Sequence, residues 1–206
     1  PAAGLPSGRE VILYQGGFSE DRGLEALVGA LDEPPLRDRD VTAVFLGYGR
    51  LDAWLRAEAA RRPGRLVVLD AVPPDELADW TAAATVGYVG IPPSTLNHRL
   101  TLANKLFEFV MAGLSVVVSE DTEHCRLVRE EGLGLCADVN DAGSVATALA
   151  GLLDVPADER PARRRHAREV ALARYSWEVR KGVLLDLYRR LAAGESPNRP
   201  EPRARS

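Results

Sequence analysis

The sequence predicts an α/β domain built on a doubly wound, mainly parallel six-stranded sheet with helices on both faces. Short β-branched runs alternate with helix-length amphipathic stretches, the pattern of βαβ units. The runs recur at regular intervals, and 206 residues is long for one such domain and short for two. Strands are expected at Glu10 to Gln15, Thr42 to Leu46, Arg65 to Asp70, Thr85 to Val89, Ser115 to Ser119 and Gly134 to Ala137. Each is a short run bounded by a polar or glycine-containing stretch. Between them the helical period places Arg22 to Leu31, Leu51 to Arg61, Pro74 to Ala83, Lys105 to Ala112, Thr122 to Glu131 and Ala142 to Leu153. Pro74 suits a first helical position, with Asp75 and Glu76 in the first turn. Six strands joined by five crossovers make a Rossmann-like sheet the leading architecture. Two more helices, Asp158 to Arg174 and Trp177 to Leu191, follow the last strand. Residues 1–9 read as a linker, 10–193 as one domain and 194–206 as a disordered tail, because the two ends are rich in Pro, Gly and Arg and carry no apolar period.

Composition removes several function classes. With 46% hydrophobic and 27% charged residues, the chain is neither disordered nor fibrous. Thirty acids against twenty-six bases give a net charge of −4, so a dedicated nucleic-acid binder is not expected. Cys125 and Cys136 build no disulfide framework and no four-ligand zinc site, and three scattered histidines add no metal spacing. Reduced thiols, no metal and a cytoplasmic location are the expectation. Glu108 interrupts the apolar run from Phe107 to Val118, which leaves no span long enough to cross a membrane. The chain starts at Pro1, and PAAGLPSG reads as a linker, so a piece of a longer protein is expected.

Ligands of such sheets bind outside the carboxyl ends of the strands. The first loop there, Gly16-Gly17-Phe18-Ser19-Glu20-Asp21-Arg22-Gly23, combines a glycine pair with a basic residue at a helix start. Glycines permit close backbone approach to an anion, and Arg22 can add a bidentate contact. A plain turn is the alternative. The loop is no dinucleotide fingerprint, since neither it nor Gly47-Tyr48-Gly49 has glycines at the required spacing. The third loop, Asp70-Ala71-Val72-Pro73-Pro74, is rigid and could offer backbone groups to a base edge; simple helix initiation is its other reading.

The segment from Ile91 to Phe109 carries the most information. Asn104 is a good N-cap residue, so Lys105 is expected to open a helix whose free N–H groups face the ligand edge. This chain uses arginine almost everywhere, and Lys105 is one of two lysines, the other being Lys181. A compact ammonium suits a phosphate as a point charge. Glu108 falls one turn later between Phe107 and Phe109, where a carboxylate needs partners such as ribose hydroxyls; a dipole-stabilised surface acid is the alternative. The run Arg163-Arg164-Arg165-His166 lies among acids and reads as a solvated helix face.

Taken together, the Gly-Gly…Arg-Gly loop, Leu46-Gly47-Tyr48-Gly49, Val72-Pro73…Leu77, Asn104-Lys105-Leu106-Phe107-Glu108-Phe109…Met111-Ala112-Gly113, Val116-Val117 and Tyr175-Ser176-Trp177 resemble the C-terminal half of a GT-B retaining glycosyltransferase of family 4. The resemblance runs from about residue 10 to 191. It implies a nucleotide-sugar donor-binding domain, one half of a GT-B fold, whose acceptor-binding N-terminal domain is missing. By that resemblance Gly16, Gly17 and Arg22 flank the donor diphosphate, and Val72 meets the base through its backbone. Ala103, Asn104 and Lys105 border the phosphates and sugar, and Glu108 holds the ribose. Arg22 and Lys105 stabilise the departing diphosphate, with no metal or organic cofactor. Membrane association of the full-length enzyme is left open. The chain departs from the family pattern at Leu100, where a sugar-contacting glutamate is usual, at Gly17 for arginine, and at Ala103 and Ser115 for proline. Asn97 and His98 are candidate substitutes for the sugar contact. A non-catalytic module of the same fold and a sugar-nucleotide epimerase, which would need further acids and histidines beyond His98 and His124, are the alternative functions.

Overall fold

The computed structural model describes residues 8–194. Most of the expected linker, residues 1–7, and of the expected tail, residues 195–206, lies outside them. Arg9 is tied to the domain, with Nε 2.5 Å from the Asp40 carboxylate and Nη1 donating to the Gly64 carbonyl.

Six strands form one sheet in the order β3-β2-β1-β4-β5-β6, and all five pairings are parallel. They are β1 (Glu10–Gly17), β2 (Val41–Tyr48), β3 (Leu66–Asp70), β4 (Val86–Val89), β5 (Ser115–Ser119) and β6 (Gly134–Ala137). The helices are α1 (Leu24–Ala30), α2 (Pro34–Arg37), α3 (Asp52–Arg61), α4 (Pro74–Ala82), α5 (Leu96–Leu100), α6 (Asn104–Met111), α7 (Glu123–Glu131), α8 (Ala142–Leu153), α9 (Arg160–Val170) and α10 (Trp177–Ala192), with a π-helical turn, Ala171–Tyr175, between the last two. The two short helices α2 and α5 carry too few turns to show an apolar period, and sequence periodicity does not find them.

The strands read as continuous apolar runs because both faces of the sheet are covered. In β1, Ile12 and Tyr14 point into a core with Leu27 of α1 and Leu149 of α8, while Val11 and Leu13 point into the opposite core with Leu106 and Phe109 of α6. Gly87 of β4 sits where α6 comes closest: a Cβ there would lie 2.5 Å from the Phe109 ring.

Four expectations need correction. Asn104 is the first residue of α6 rather than its cap. The cap is Ala103, in extended backbone, whose N–H donates to His124 Nε2 at 2.9 Å. Arg22 does not start a helix either, because Gly23 adopts a left-handed φ of 60° and α1 begins only at Leu24. A side chain at 23 would lie 2.7 Å from the Tyr88 hydroxyl, so only glycine makes this corner. Cys125 and Cys136 form a disulfide, because the left-handed turn at Gly132 folds β6 back beside α7 and brings their Cα atoms to 5.6 Å. Finally, the arginine run of α9 is no simple solvated face. Arg164 donates to the carbonyls of Ala82, Ala84 and Ala112 at 2.9, 3.2 and 3.3 Å, and Arg168 to Met111 at 3.0 Å, so α9 caps the C-terminal ends of α4 and α6. Arg160 donates to Glu10 at 2.6 Å and to the Leu153 carbonyl at 2.7 Å.

Charge-assisted hydrogen bonds to otherwise unpaired helix-end carbonyls are worth more than solvated charge. Arg164→Ala is therefore expected to lower the unfolding free energy by about 1.5 to 3 kcal/mol in urea titrations. The exposed neighbour provides the control: Arg165→Ala should stay within about 0.5 kcal/mol of the parent. Equal effects of the two would remove the capping role.

Candidate functional site

Parallel strands place all their carboxyl ends on one edge, and the winding reverses between β1 and β4. At that edge lies a cavity of about 350 Å³. β1 runs on through Gly17 rather than stopping at Gln15, so its last two residues, Gly16 and Gly17, pair with Gly47 and Tyr48 of β2, and these two strand ends form adjoining walls. The loop after β3 adds Val72, and the first turns of α6 add Asn104, Lys105 and Glu108. Gly47 lets these walls meet: with φ 155° its missing Cβ would otherwise sit 2.0 Å from the Gly16 carbonyl oxygen.

Six of the residues singled out from sequence, Gly16, Gly17, Val72, Asn104, Lys105 and Glu108, thus share one cavity. Arg22 and Ala103 lie beside it. Ala103 carries the start of α6, and Arg22 is close enough to act electrostatically on both Lys105 and Tyr14.

Lys105 is the unusual group. Its Nζ stands 3.9 Å above the centre of the Tyr14 ring, and a Cβ on Gly16 would lie 3.2 Å from it. No ion pair to a carboxylate is formed by it among the described residues. Burial and the like charge of Arg22 pull its pKa down from 10.5 to about 7, with Glu108 opposing. Beneath the α6 start, fully buried His124 accepts the Ala103 N–H, so its proton resides on Nδ1, which has no partner. Burial and nearby Lys105 lower its pKa to about 4 and keep it neutral.

Glu108 is exposed toward the cavity yet held. Gln15 Nε2 donates to its Oε2 at 2.6 Å, and the Thr81 hydroxyl lies 2.8 Å from Gln15 Oε1. Sequence reading missed Tyr14, Gln15 and Thr81. Gln15 had a signal, a buried amide closing an otherwise apolar strand; the other two had none. His98 pairs with Ser94 at 3.0 Å and lines none of this cavity, and Leu100 is 65% exposed on α5. No three His, Cys, Asp or Glu side chains gather as metal ligands among the described residues.

A doubly wound sheet with glycine turns, a buried cation and a held carboxylate on its carboxyl edge defines a Rossmann-like domain of the kind that makes up half of a GT-B glycosyltransferase. Residues 9–155 match the family model for glycosyl transferases group 1, and the chain belongs to that family. It is 26% identical over 186 residues to a phosphatidyl-myo-inositol mannosyltransferase of Mycolicibacterium smegmatis, covering 90% of this chain and 46% of that protein. It is 29% identical over 203 residues to D-inositol 3-phosphate glycosyltransferase 2 of Catenulispora acidiphila, covering 92% and 45%. The chain thus spans a little under half the length of these relatives. Sucrose-phosphate synthase of Thermosynechococcus elongatus shares the fold, with a TM-score of 0.76 and 24% identity across 93% of this chain and 47% of that one. No helix among the described residues is long and apolar enough to cross a membrane.

The Lys105 environment has a consequence for stability. Between about pH 7 and 10.5 the unfolded chain holds a proton on this amine that the folded chain lacks. Stability relative to a Lys105→Met variant should therefore rise with pH across that window and level off below it. Urea unfolding of both proteins at about pH 6, 8 and 10 measures the difference. A difference that does not vary with pH would place the amine in water.

Proposed function

We propose that this domain is the nucleotide-sugar donor-binding half of a retaining glycosyltransferase, which moves a sugar from a nucleoside-diphosphate sugar to an acceptor hydroxyl. The observation that carries the reading is a largely buried ammonium without a carboxylate partner among the described residues, at the end of β1 and one helical turn from a carboxylate locked by an amide. An uncompensated cation in low dielectric favours an anion, and a held carboxylate favours paired hydroxyls. A nucleoside diphosphate offers both.

In this reading the backbone of Gly16 and Gly17 approaches the diphosphate, Val72 meets the base through its main chain, and Glu108 accepts the ribose hydroxyls. Ala103 and Asn104 bring the free N–H groups of α6 to the phosphates and sugar. The acceptor oxygen forms its bond to the anomeric carbon on the face from which the diphosphate departs, the electron pair of the broken C–O bond goes to the diphosphate, and the acceptor hydroxyl's proton passes to the departing diphosphate oxygen. Lys105 and Arg22 stabilise that charge without metal or organic cofactor. The acceptor is bound by a second, N-terminal domain. A surface for it is available on α10, which buries no residue and exposes Trp177, Val183 and Tyr188 by more than 60%. Without that opposing wall, the positioning advantage of up to ~7 to 11 kcal/mol is absent from the single domain. A second reading, a module that binds nucleotide but transfers nothing, is favoured by exposed Leu100 in place of the acid usual at that position. Transfer assays with both domains present separate the two.

Calorimetry with UDP and GDP tests the binding. Lys105→Met should weaken the tighter of the two by about 1.5 to 3 kcal/mol, and unchanged affinity in a folded variant would take Lys105 out of the site. Glu108→Gln should lower affinity for the nucleotide while leaving inorganic pyrophosphate almost unaffected. Equal losses for both ligands would mean that Glu108 only supports the fold.

A further inference from the structure

We propose that Tyr14 is a positioning residue of this site: its ring carries the Lys105 ammonium and its hydroxyl fixes the Gly16–Gly17 end of β1, so that cation and strand end reach one diphosphate together. The inference rests on the donor-binding reading and identifies what presents the diphosphate cation.

Tyr14 is fully buried in β1, two residues before the glycine pair that ends the strand. Its hydroxyl donates to the Gly17 carbonyl at 2.6 Å, tying down the last residue of the strand. Phe18 and Phe45 pack against the ring, at centroid distances of 6.2 and 6.0 Å, and hold its plane. The ring then presents a face to Lys105 Nζ at 3.9 Å. The choice of partner matters chemically. A carboxylate would hold the ammonium equally well but would cancel its charge and repel a diphosphate. An aromatic face attracts the cation through its quadrupole and adds no net negative charge. The lysine is thus seated without a counter-charge, so the ring does not cancel the charge of the protonated amine. Arg22 adds like charge from the first loop, Glu108 opposes it from α6, and His124 beneath α6 is neutral.

Two variants separate the roles. Tyr14→Phe keeps the ring and loses the hydroxyl; Tyr14→Leu loses both. With only two lysines in the chain, labelling with ¹³C-lysine gives two resolved side-chain signals for the methylene beside the amine. The Lys105 signal, identified by its loss in Lys105→Met, should be shifted upfield of exposed Lys181 by the ring. It should remain so in Tyr14→Phe and return in Tyr14→Leu. Coincident lysine signals in the parent would overturn the proposal. Calorimetry with inorganic pyrophosphate supplies the functional readout. Tyr14→Leu should bind about tenfold more weakly, and Tyr14→Phe no more than about threefold. The double variant Tyr14→Leu/Lys105→Met should bind no more than about threefold more weakly than Lys105→Met alone, the part owed to the lost hydroxyl. Fully additive losses would mean that Tyr14 only supports the fold. If Tyr14→Leu does not fold, the lysine signal in Tyr14→Phe and its pyrophosphate affinity decide. Failure of the parent to bind pyrophosphate, UDP and GDP would sink the donor-binding reading, whereas the upfield lysine signal would still report the ring contact.

Discussion

β1 pairs in parallel with β2 on one side and β4 on the other, and the winding of the chain reverses at that strand. Parallel pairing requires a crossover between neighbours, so every strand delivers its carboxyl end to the same edge. The reversal leaves that edge open at β1, where the crossovers diverge to opposite faces. The end of β1, the loop after β3 and the start of α6 are then neighbours although residues 16, 72 and 105 are far apart in sequence.

The polar groups of this edge are arranged by the cores beneath it. Alternate residues of β1 feed opposite cores until the strand reaches Tyr14 and Gln15, where the same alternation places an aromatic ring and an amide. The ring faces the amine of α6 and the amide faces the carboxylate of α6. One helix therefore presents a positive and a negative group, each supported by a different residue of one strand. The supporting groups are neutral, so neither the Lys105 amine nor the Glu108 carboxylate is cancelled by an opposite charge from the strand beneath it.

The far ends of α4 and α6 are closed by the arginines of α9. These helices carry the rear of the cavity wall and its cation at their amino-terminal ends, while α9 binds their carboxyl-terminal carbonyls. Positive charge at helix C-termini is favourable to the helix dipole and satisfies carbonyls that have no partner within the helix. A run of basic residues that reads as surface charge is thereby a structural clamp.

The sheet and the long helices were legible in the sequence, because burial on both faces demands continuous apolar runs and because helices of several turns show their period. Gly16, Gly17, Val72, Asn104, Lys105 and Glu108 were legible as candidates, since glycines, a rare lysine and an acid between two phenylalanines mark themselves in a strand–helix frame. The tertiary structure alone decided that these six line one cavity and that Arg22 stays in the loop. The Tyr88 hydroxyl approaches the corner at Gly23 from another strand and stops the helix there. It also decided that Ala103 caps α6, because the acceptor for its N–H, His124, comes from twenty-one residues away. The disulfide, the aromatic seat of Lys105 and the amide lock on Glu108 have the same origin. Each is a contact between residues distant in sequence, and local pattern records which side chains a segment can bury but not which ones the neighbouring strand will bring to meet them.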